Sequence, residues 1–507
     1  MMARALSATP WGIDARAVQV EVDIRFGLPQ THIVGLPDAA VRESKERVRA
    51  AIKNCGFDLP GRVVVVNLAP ANIRKEGNYL DLAIALAVLR AYGELPEGCL
   101  EGRLFCGELG LDGQVRSIRG GLAIAALGGH VKAREVLLPA PNAAEAAALE
   151  VVPIYALAGL AEAIEHLVGT TCLTPTTPSE PPAPRTSYTL DLADVRGQEA
   201  AKRALEIAAA GGHNALFMGP PGAGKTMLAR RLPGILPSLT RSESIAVTKV
   251  HSLAADEPPA GLIRRRPFRS PHPGISSVGM VGGGAVPRPG EVSLAHNGVL
   301  FLDELPEFQR DALEALRQPL EEGRLTVIRA RGRFTFPARF ALLASMNPCP
   351  CGHLGDPRHE CRCSPLQVQR YRNRVSGPLL DRIDLHVEVP SVKLAELRGA
   401  PGEATGPVAE RVGVARDRQL HRLGANNGTP VNAAMTSRLI EEHCLLDSAA
   451  RRILDTAFER LGLSARAMTR ILKVSRTIAD LAASDSIRTT HVAEAIQYRA
   501  FDRRLEQ

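Results

Sequence analysis

The apolar positions of the chain change their spacing twice along its length. In residues 1–170 short apolar strands alternate with apolar-faced helices, and residues 18–24 (VQVEVDI) alternate strictly, as in a half-buried strand. Residues 191–395 contain short, uninterrupted apolar runs, which are typical of strands buried on both faces of a parallel sheet. From about residue 396 the apolar positions recur every three or four residues, which predicts helices.

Individual segments refine this division. Residues 63–68 (VVVVNL) predict a more deeply buried strand, and residues 80–89 predict a helix. Residues 171–190 are rich in Pro, Thr and Ser and have no period, which predicts a semi-extended linker. Ser464 and Thr490 are predicted helix N-caps. The C-terminal region predicts four helices, over residues 434–443, 448–461, 464–482 and 490–499.

Composition narrows the function classes only slightly. The net charge of +8 favours polyanionic partners such as ATP or nucleic acid. Aromatic residues make up 4% of the chain, which argues against base stacking as the main nucleic-acid contact. No apolar run approaches about 18 residues, and the N-terminus has no apolar signal-peptide core. We therefore expect a cytoplasmic protein without a membrane partner.

A glycine-rich loop separates a short apolar run, residues 215–218, from residues with helical spacing. The loop consists of Gly219, Pro220, Pro221, Gly222, Ala223, Gly224, Lys225 and Thr226. Its glycines let backbone amides turn toward phosphate oxygens, and the following helix adds the positive end of its dipole. Lys225 would contact the β- and γ-phosphates, and Thr226 would ligate Mg²⁺. The sequence therefore predicts a P-loop that binds ATP and Mg²⁺.

A second apolar run, residues 298–302, ends in Asp303 and Glu304. Because ligands bind at the carboxyl ends of parallel strands, these carboxylates are expected beside the P-loop. Asp303 would hold Mg²⁺, and Glu304 would orient and deprotonate the attacking water. The alternative is an ordinary acidic turn at the end of a strand.

Four cysteines lie close together, at Cys349, Cys351, Cys361 and Cys363. In a cytosolic context such a cluster favours a metal over disulfides, and four thiolates suit structural Zn²⁺. His353 or His359 can replace one ligand. The Cys-x-Cys spacing is tighter than the usual Cys-x₂-Cys, so reduced free thiols and redox sensing remain alternatives.

Residues 325–336 (LTVIRARGRFTF) predict a β-hairpin with its turn at residues 330–332. The turn places Arg329, Arg331 and Arg333 at or near the tip. Arginines on a loop that faces a channel suit contacts with DNA phosphates, which do not depend on sequence. Alternatively, these arginines pair with acidic residues of a neighbouring subunit.

The N-terminal region resembles the proteolytic domain of Lon and the C-terminal domain of RadA, which share the ribosomal-S5-like fold. The resemblance is carried by residues 75–82 (KEGNYLDL), 107–122 and 136–142. Lon requires a serine nucleophile activated by a lysine, and the match places Tyr79 and Ala123 at those positions. The resemblance therefore implies this fold without peptidase activity.

The central region resembles AAA+ proteins. Residues 340–347 are similar to the sensor-1 strand, which implies that Asn347 contacts the γ-phosphate or the attacking water. Residues 264–290 together with the arginine hairpin resemble the helix-2 insert and pre-sensor-1 hairpin of the clade that holds magnesium chelatase and the MCM helicases. In ring helicases such hairpins line the pore and track the DNA backbone.

Two arginines follow from the same resemblance. Residues 376–386 (SGPLLDRIDLH) are similar to the magnesium chelatase segment whose arginine reaches a neighbour's ATP, which implies that Arg382 is an arginine finger. The alternative is a local salt bridge of Arg382 to Asp381 or Asp384. Residues 464–466 resemble sensor 2, which implies that Arg466 moves onto the γ-phosphate as the lid closes, with Arg470 as the reserve candidate.

Taken together, these motifs resemble the bacterial ComM/YifB family, which is magnesium chelatase-like. The resemblance implies a hexameric ring that hydrolyses ATP to ADP and phosphate and drives branch migration of branched or single-stranded DNA during natural transformation. The alternatives are a magnesium chelatase motor subunit and a DNA-binding regulator switched by ATP.

The predicted fold class is α/β: a P-loop AAA+ module with a helical lid, preceded by an α+β, S5-like domain. The predicted domains are an S5-like domain (1–170), a linker (171–190), the AAA+ core with its inserts (191–395) and the helical lid (396–507).

Overall fold

The computed structural model describes residues 2–75, 77–178, 190–255, 257–284, 287–329, 332–356, 359–424 and 430–499. Arg331 of the predicted hairpin tip lies outside the described residues, as do residues 179–189 of the predicted linker. The predicted fold class is confirmed, because a parallel sheet with helices is followed by a helical C-terminal region. The S5-like assignment and the domain boundaries stay predictions.

The N-terminal region is built on a seven-stranded mixed sheet. The strands of this region are β1 (Met2–Trp11), β2 (Asp14–Arg25), β3 (Gln30–Val34), β4 (Val63–Ala69), β5 (Arg103–Phe105), β6 (Glu108–Leu109), β7 (Val115–Arg116), β8 (Glu135–Pro139) and β9 (Ile154–Leu157). Its helices are α1 (Ala39–Asn54), α2 (Asp81–Tyr92), α3 (Gly121–His130), α4 (Ala140–Ala147) and α5 (Leu160–Val168). The sheet order is β3-β4-β2-β1-β5-β8-β9, and β6 pairs only with β7 among the described strands.

Strands β2 and β4 both alternate between buried and partly buried residues. The prediction of a half-buried β2 is therefore confirmed, and the prediction of a more deeply buried β4 is wrong. Val64, Val66 and Leu68 of β4 belong to the same hydrophobic core as α1 and α2, and the residues between them point to the other face of the sheet. Tyr79 is half-buried and Ala123 is buried.

The central region contains a wholly parallel five-stranded sheet in the order β11-β14-β17-β10-β18. The strands of this region are β10 (Ala215–Met218), β11 (Phe268–Arg269), β12 (Gly282–Gly283), β13 (Arg288–Pro289), β14 (Gly298–Leu302), β15 (Arg324–Arg329), β16 (Gly332–Pro337), β17 (Phe340–Met346) and β18 (Leu385–Glu388). Every residue of β10 and β14 is buried, as their uninterrupted apolar runs predict.

Helices cover this sheet and connect its strands. They are α6 (Glu199–Gly211), α7 (Lys225–Ala229), α8 (Leu232–Ile235), α9 (Arg241–Ala254), α10 (Ser277–Val281), α11 (Glu291–Leu294), α12 (Arg310–Glu314), α13 (Arg317–Glu322), α14 (Pro365–Arg372), α15 (Gly377–Leu380) and α16 (Leu394–Leu397). The N-terminal region contacts α9, because the Gly120 amide donates a hydrogen bond to the Ser252 carbonyl and Arg241 pairs with Glu150 at 2.6 Å.

The C-terminal region is helical, as predicted. Its helices are α17 (Thr405–Leu423), α18 (Ser437–His443), α19 (Ser448–Leu461), α20 (Ala465–Leu481) and α21 (Thr489–Gln497). The Ser464 hydroxyl accepts the Ala467 amide at 3.2 Å, so this N-cap is confirmed. The Thr490 N-cap is wrong, because α21 already includes Thr489. Helices α17 and α20 pack against α6, so the helical region shares one hydrophobic core with the parallel sheet.

In the described part of the chain, no helix has both the length and the apolar character that a membrane crossing requires.

Candidate active site

The P-loop joins the carboxyl end of β10 to the first residue of α7. Gly222 and Gly224 have φ angles of +74° and +91°, in the left-handed region that glycine adopts without strain. The Lys225 ammonium lies across this loop and donates hydrogen bonds to the carbonyl oxygens of Gly219 at 2.7 Å and Pro220 at 2.9 Å. The loop and its lysine therefore form a compact cradle with backbone amides at a helix N-terminus.

Lys225 is almost fully buried, with 9% of its surface exposed. Burial lowers the pKa of its ammonium, while the charges of Asp303 and Glu304 act in the opposite direction. The ammonium also donates a hydrogen bond to the Asn347 side-chain oxygen at 3.0 Å. The structure thus brings together the lysine predicted for the phosphates and the asparagine predicted to sense them.

Asp303 is the centre of a second group of hydrogen bonds. The Thr226 hydroxyl donates to Asp303 Oδ2 at 2.7 Å, and the Ser345 hydroxyl donates to Asp303 Oδ1. A hydroxyl and a carboxylate are ligands that Mg²⁺ accepts in nucleotide sites. Thr226 and Asp303 are therefore placed to hold the ion from adjacent elements.

Ser345 is a site residue that sequence reasoning missed. It lies in β17, is fully buried, and its oxygen also accepts the Glu304 amide at 3.3 Å. It therefore fixes both carboxylate-bearing residues after β14. The available signal was a polar residue in a strand whose neighbours are all apolar, since a buried hydroxyl needs a hydrogen-bond partner.

Glu304 has a left-handed backbone with φ +54°, which is uncommon for a residue other than glycine. Strain of this kind concentrates at functional sites. The turn leaves Glu304 exposed next to the partly buried Asp303. The two carboxylates are thus separated by environment, one held by hydroxyl groups and the other accessible to water.

The four clustered cysteines converge after β17. The Sγ atoms of Cys349, Cys351 and Cys361 are 3.4 to 3.7 Å apart, and all four thiols lie within 4.8 Å of one another. Tetrahedral Zn²⁺ with Zn–S bonds of about 2.3 Å requires sulfur separations of about 3.8 Å. A hydrogen bond from the backbone amide of His353 lowers the pKa of Cys351 to about 6, whereas burial raises the pKa of Cys349 to about 12. The donor set and its spacing therefore fit zinc.

The two histidines of this loop do not join the thiols. The Nδ1 atoms of His353 and His359 lie 3.5 and 3.1 Å from Asp356 Oδ2, in a separate group. The loop itself packs on the P-loop, because a Cβ atom at Gly352 would lie 2.5 Å from the Pro221 ring. The loop that carries the cysteines is thus in direct contact with the phosphate-binding segment.

Arg382 lies away from the P-loop, at the other end of the parallel strands. It precedes β18, and its guanidinium donates hydrogen bonds to the carboxylate of Glu321 and to the Pro378 carbonyl at 2.5 Å. The alternative of a salt bridge to Asp381 or Asp384 is therefore corrected, since the local partner is Glu321 on α13.

Arg466 and Arg470 lie on α20, near the same segment. Arg466 is 70% exposed in its side chain and lies 3.9 Å from Asp381. Arg470 pairs with Asp384, which is buried and also bonded to His213 at 3.2 Å. Arg466 is thus the accessible arginine of the two, and Arg470 belongs to a buried ion pair.

These arginines line a cavity of about 670 Å³ together with Arg382. Other lining residues stand at the beginnings of strands: Asn214 precedes β10, Gly298 and Phe340 start β14 and β17, and Asp384 precedes β18. The cavity therefore lies at the amino edge of the parallel sheet, and the P-loop lies at the carboxyl edge. Along the seven residues of β17 the two edges are about 20 Å apart.

The predicted arginine hairpin forms, with β15 and β16 paired from Arg324 to Pro337. Arg329 and Arg333 are exposed near its tip. Neither makes an ion pair with any carboxylate in the described ranges. Their alternative role as partners of a neighbour's acidic residues stays open.

Known families match most of the chain. A model described as magnesium chelatase, subunit ChlI, matches residues 191–397. A model for subunit ChlI of Mg-chelatase matches residues 20–142, and one for the ChlI C-terminal region matches residues 402–499.

Three relatives align over nearly the full length. The competence protein ComM of Haemophilus influenzae is 44% identical over 511 residues, which cover 100% of this chain and 99% of the relative. Two uncharacterized proteins named YifB, from Salmonella typhimurium and Escherichia coli, are each 44% identical over 497 residues, which cover 97% of this chain and 96% of theirs. With its AAA+ site and this full-length similarity, the chain belongs to the ComM/YifB family of magnesium chelatase-like proteins.

Proposed function

We propose that the chain is an ATPase whose active sites form between neighbouring subunits of a ring, and that hydrolysis drives the ring along DNA. The observation that supports this function is the position of Arg382 and Arg466, about 20 Å from the P-loop along the strands. An arginine at that edge can serve a nucleotide only if the nucleotide is held by another subunit.

One subunit would supply the binding half of the site. Lys225 holds the phosphates, and Thr226 and Asp303 hold Mg²⁺. Asn347, whose side-chain oxygen accepts a hydrogen bond from Lys225, contacts the γ-phosphate. Bound Mg²⁺ offsets the negative charge of the phosphate oxygens. Glu304, exposed at its strained turn, orients the attacking water and accepts its proton.

The neighbouring subunit would supply the cations. Arg382 acts as the arginine finger, and Arg466 reaches the same phosphates from α20. This assignment refines the expectation that Arg466 moves onto the γ-phosphate as the lid closes: the phosphate would be the neighbour's, since Arg466 lines the cavity that holds Arg382. An interface between two different faces of the same subunit closes into a ring, which the family resemblance implies to be a hexamer.

The hairpin would couple ATP hydrolysis to movement along DNA. Arg329 and Arg333 are exposed without a carboxylate partner among the described residues, and Arg331 lies between them in sequence. Phosphate contacts of this kind suit a motor that moves along DNA of any sequence. Since the H. influenzae relative is a competence protein, we propose branch migration of recombining DNA during natural transformation as the biological task.

Zinc completes the proposed set of cofactors. Cys349, Cys351, Cys361 and Cys363 would hold one structural Zn²⁺ that braces the loop against Pro221. Metal analysis of the purified protein should give about one zinc per chain. Zinc-free protein with four reactive thiols in this loop would contradict the assignment.

A magnesium chelatase motor is the second candidate, because the matching family models carry that description. Strand displacement on forked and four-way junction DNA separates the two functions. The wild-type protein should unwind both substrates with ATP, and the Lys225→Ala protein should unwind neither. ATP hydrolysis without any displacement would remove the motor function and favour a chelatase or a regulator.

A further inference from the structure

The N-terminal region touches the arginine hairpin through the end of β1 and the turn between β1 and β2. The Trp11 ring lies 5.0 Å from the Phe334 ring, centre to centre, with the planes tilted by 42°. A Cβ atom at Gly332 would lie 3.1 Å from the Trp11 ring, and one at Gly12 would lie 3.4 Å from Phe334. Two hairpins from distant parts of the sequence therefore pack tip against tip.

Further contacts hold the β1–β2 turn in place. The Arg16 guanidinium lies over the Trp11 ring at 4.2 Å, in cation–π geometry. Asp14 forms an ion pair with Lys249 of α9. Ile13 packs against the hydrophobic core of the central region. The turn is thus anchored to α9 through Asp14 and to the core of the central region through Ile13.

The hairpin is built so that this contact affects its arginines. Leu325, Val327, Phe334 and Phe336 are buried, whereas Arg329 and Arg333 are exposed. Phe334 directly follows Arg333, so the aromatic pair fixes the backbone that carries the arginine. Gly332, the residue opposite Arg329 in the hairpin, lies against Trp11 itself.

We propose that the β1–β2 turn positions the arginine hairpin for DNA, with Trp11 as its positioning residue. This inference rests on the proposed function, in which the hairpin contacts DNA phosphates. It gives the N-terminal region a specific role: it sets the orientation of the hairpin and thereby couples DNA binding to ATP turnover.

The first test compares basal and DNA-stimulated ATPase rates of the full-length protein. Trp11→Ala should lower the stimulation by DNA about fivefold and leave the basal rate within about twofold, whereas Trp11→Phe should restore stimulation because it keeps an aromatic ring against Phe334. Phe26→Ala is the matched control, because Phe26 is an aromatic residue of the same region that is 89% exposed and contacts Arg62. Full stimulation in Trp11→Ala would overturn the inference.

A double variant, Arg329→Ala with Arg333→Ala, separates this inference from the proposed function. If the double variant keeps its response to DNA, Arg329 and Arg333 do not contact DNA, and the role of these two arginines in the proposed function fails. If the double variant loses the response and Trp11→Ala keeps it, only the positioning role is overturned.

A fluorescence measurement covers the case in which Trp11→Ala does not fold. Trp11 is the one tryptophan of the 507 residues, so its emission reports on this contact alone. Adding DNA with a non-hydrolysable ATP analogue should shift the emission of the wild-type protein and leave that of the double arginine variant unchanged. An emission that does not respond to DNA in the wild-type protein would overturn the inference.

Discussion

The two edges of the parallel sheet carry opposite kinds of chemistry. At the carboxyl edge, Lys225, Thr226, Asp303 and Asn347 are tied to one another or to Ser345 by hydrogen bonds, and each follows a strand directly or begins the helix after the P-loop. At the amino edge, Arg382 and Arg466 lie around an open cavity, and their carboxylate neighbours come from α13 and from the segment before β18.

This difference indicates which half of an ATP site one chain can form alone. The carboxyl edge has groups for binding phosphates, Mg²⁺ and water. Among the described residues, however, no arginine forms a hydrogen bond with Lys225 or Asp303. The amino edge has the exposed Arg466 and the mostly buried Arg382, but no P-loop. On the proposed function, the two edges meet only when one subunit faces the next.

Removing the lysine of the carboxyl edge should have the largest effect. Lys225→Ala deletes the buried ammonium that crosses the P-loop, and we expect ATP hydrolysis to fall by at least about 10⁴-fold. A steady-state phosphate-release assay measures this loss. Lys53→Ala, an exposed lysine at the end of α1, is the matched control and should hydrolyse ATP normally. Normal turnover by the Lys225 variant would remove the P-loop assignment.

Removing the arginine of the amino edge should have the next largest effect. Arg382→Ala should lower kcat by about 10³-fold, the usual contribution of an arginine finger, while nucleotide binding stays within about threefold. Arg317→Ala is the control, because Arg317 lies on α13 near Glu321 and its ion pair within the described residues is a surface one with Glu314. A kcat for the Arg382 variant equal to that of the control would make Arg382 a local structural residue.

The catalytic carboxylate should have a smaller effect than either cation. Glu304→Gln keeps the size of the side chain and the hydrogen bond from the backbone amide of residue 304 to Ser345, but the new side chain cannot accept a proton. We expect kcat to fall about 10²-fold with unchanged ATP affinity. Asp303→Asn should instead weaken the Mg²⁺ dependence of binding, so titration with Mg²⁺ distinguishes the two carboxylates. Equal Mg²⁺ dependence in both variants would contradict their separate roles.

The smallest effect on turnover, and a large one on folding, should come from the buried pair at the amino edge. Burial alone would raise the pKa of Asp384, but the hydrogen bond from His213 and the charge of Arg470 lower it below its usual value. The ionised Asp384 therefore stabilises the fold at pH values above about 4, and this contribution is lost as the pH falls below that value.

Asp384→Asn should consequently lower the free energy of unfolding by about 3 kcal/mol at pH 7, because it removes the negative charge that Arg470 pairs with at this buried position. The cost should shrink as the pH is lowered toward 3, because Asp384 takes up a proton in the unfolded wild-type chain there while it stays ionised in the folded one. Chemical denaturation at several pH values measures both effects. A cost that is the same at pH 7 and pH 3 would show that the charge of Asp384 is not what stabilises this edge.

The carboxyl edge was predictable from the sequence because its signals are local. A buried strand followed by a polar residue appears in the sequence as a short apolar run with a polar end, and Asp303 and Asn347 follow this rule. Lys225 is marked instead by the glycine-rich loop that precedes it. Ser345 escaped it because one polar residue inside a strand has no periodic signal. The cap predicted at Thr490 failed for a related reason, since α21 begins one residue earlier than its apolar spacing indicates.

The amino edge was not predictable, because its contacts join residues far apart in the chain. Arg470 and Asp384 are 86 positions apart, and their pair joins α20, which also carries Arg466, to the amino edge of the sheet. Helical periodicity identifies the buried face of α20 but not the surface against which it packs. The contact of Trp11 with Phe334 has the same origin, since neither hairpin carries a local sign of the other.

Mixed rings test most directly whether one active site is shared by two subunits. Chains with Lys225→Ala and chains with Arg382→Ala, each inactive alone, would be co-expressed with different affinity tags. Purification on both tags in turn selects rings that contain both variants. An interface that combines the intact P-loop of one variant with the intact arginine of the other is complete, so about a quarter of the interfaces in a random ring should be active. The account predicts that this fraction of the wild-type ATPase rate returns, while rings of the double variant stay inactive. No recovery in doubly tagged rings would place both residues in the site of a single chain and contradict the account.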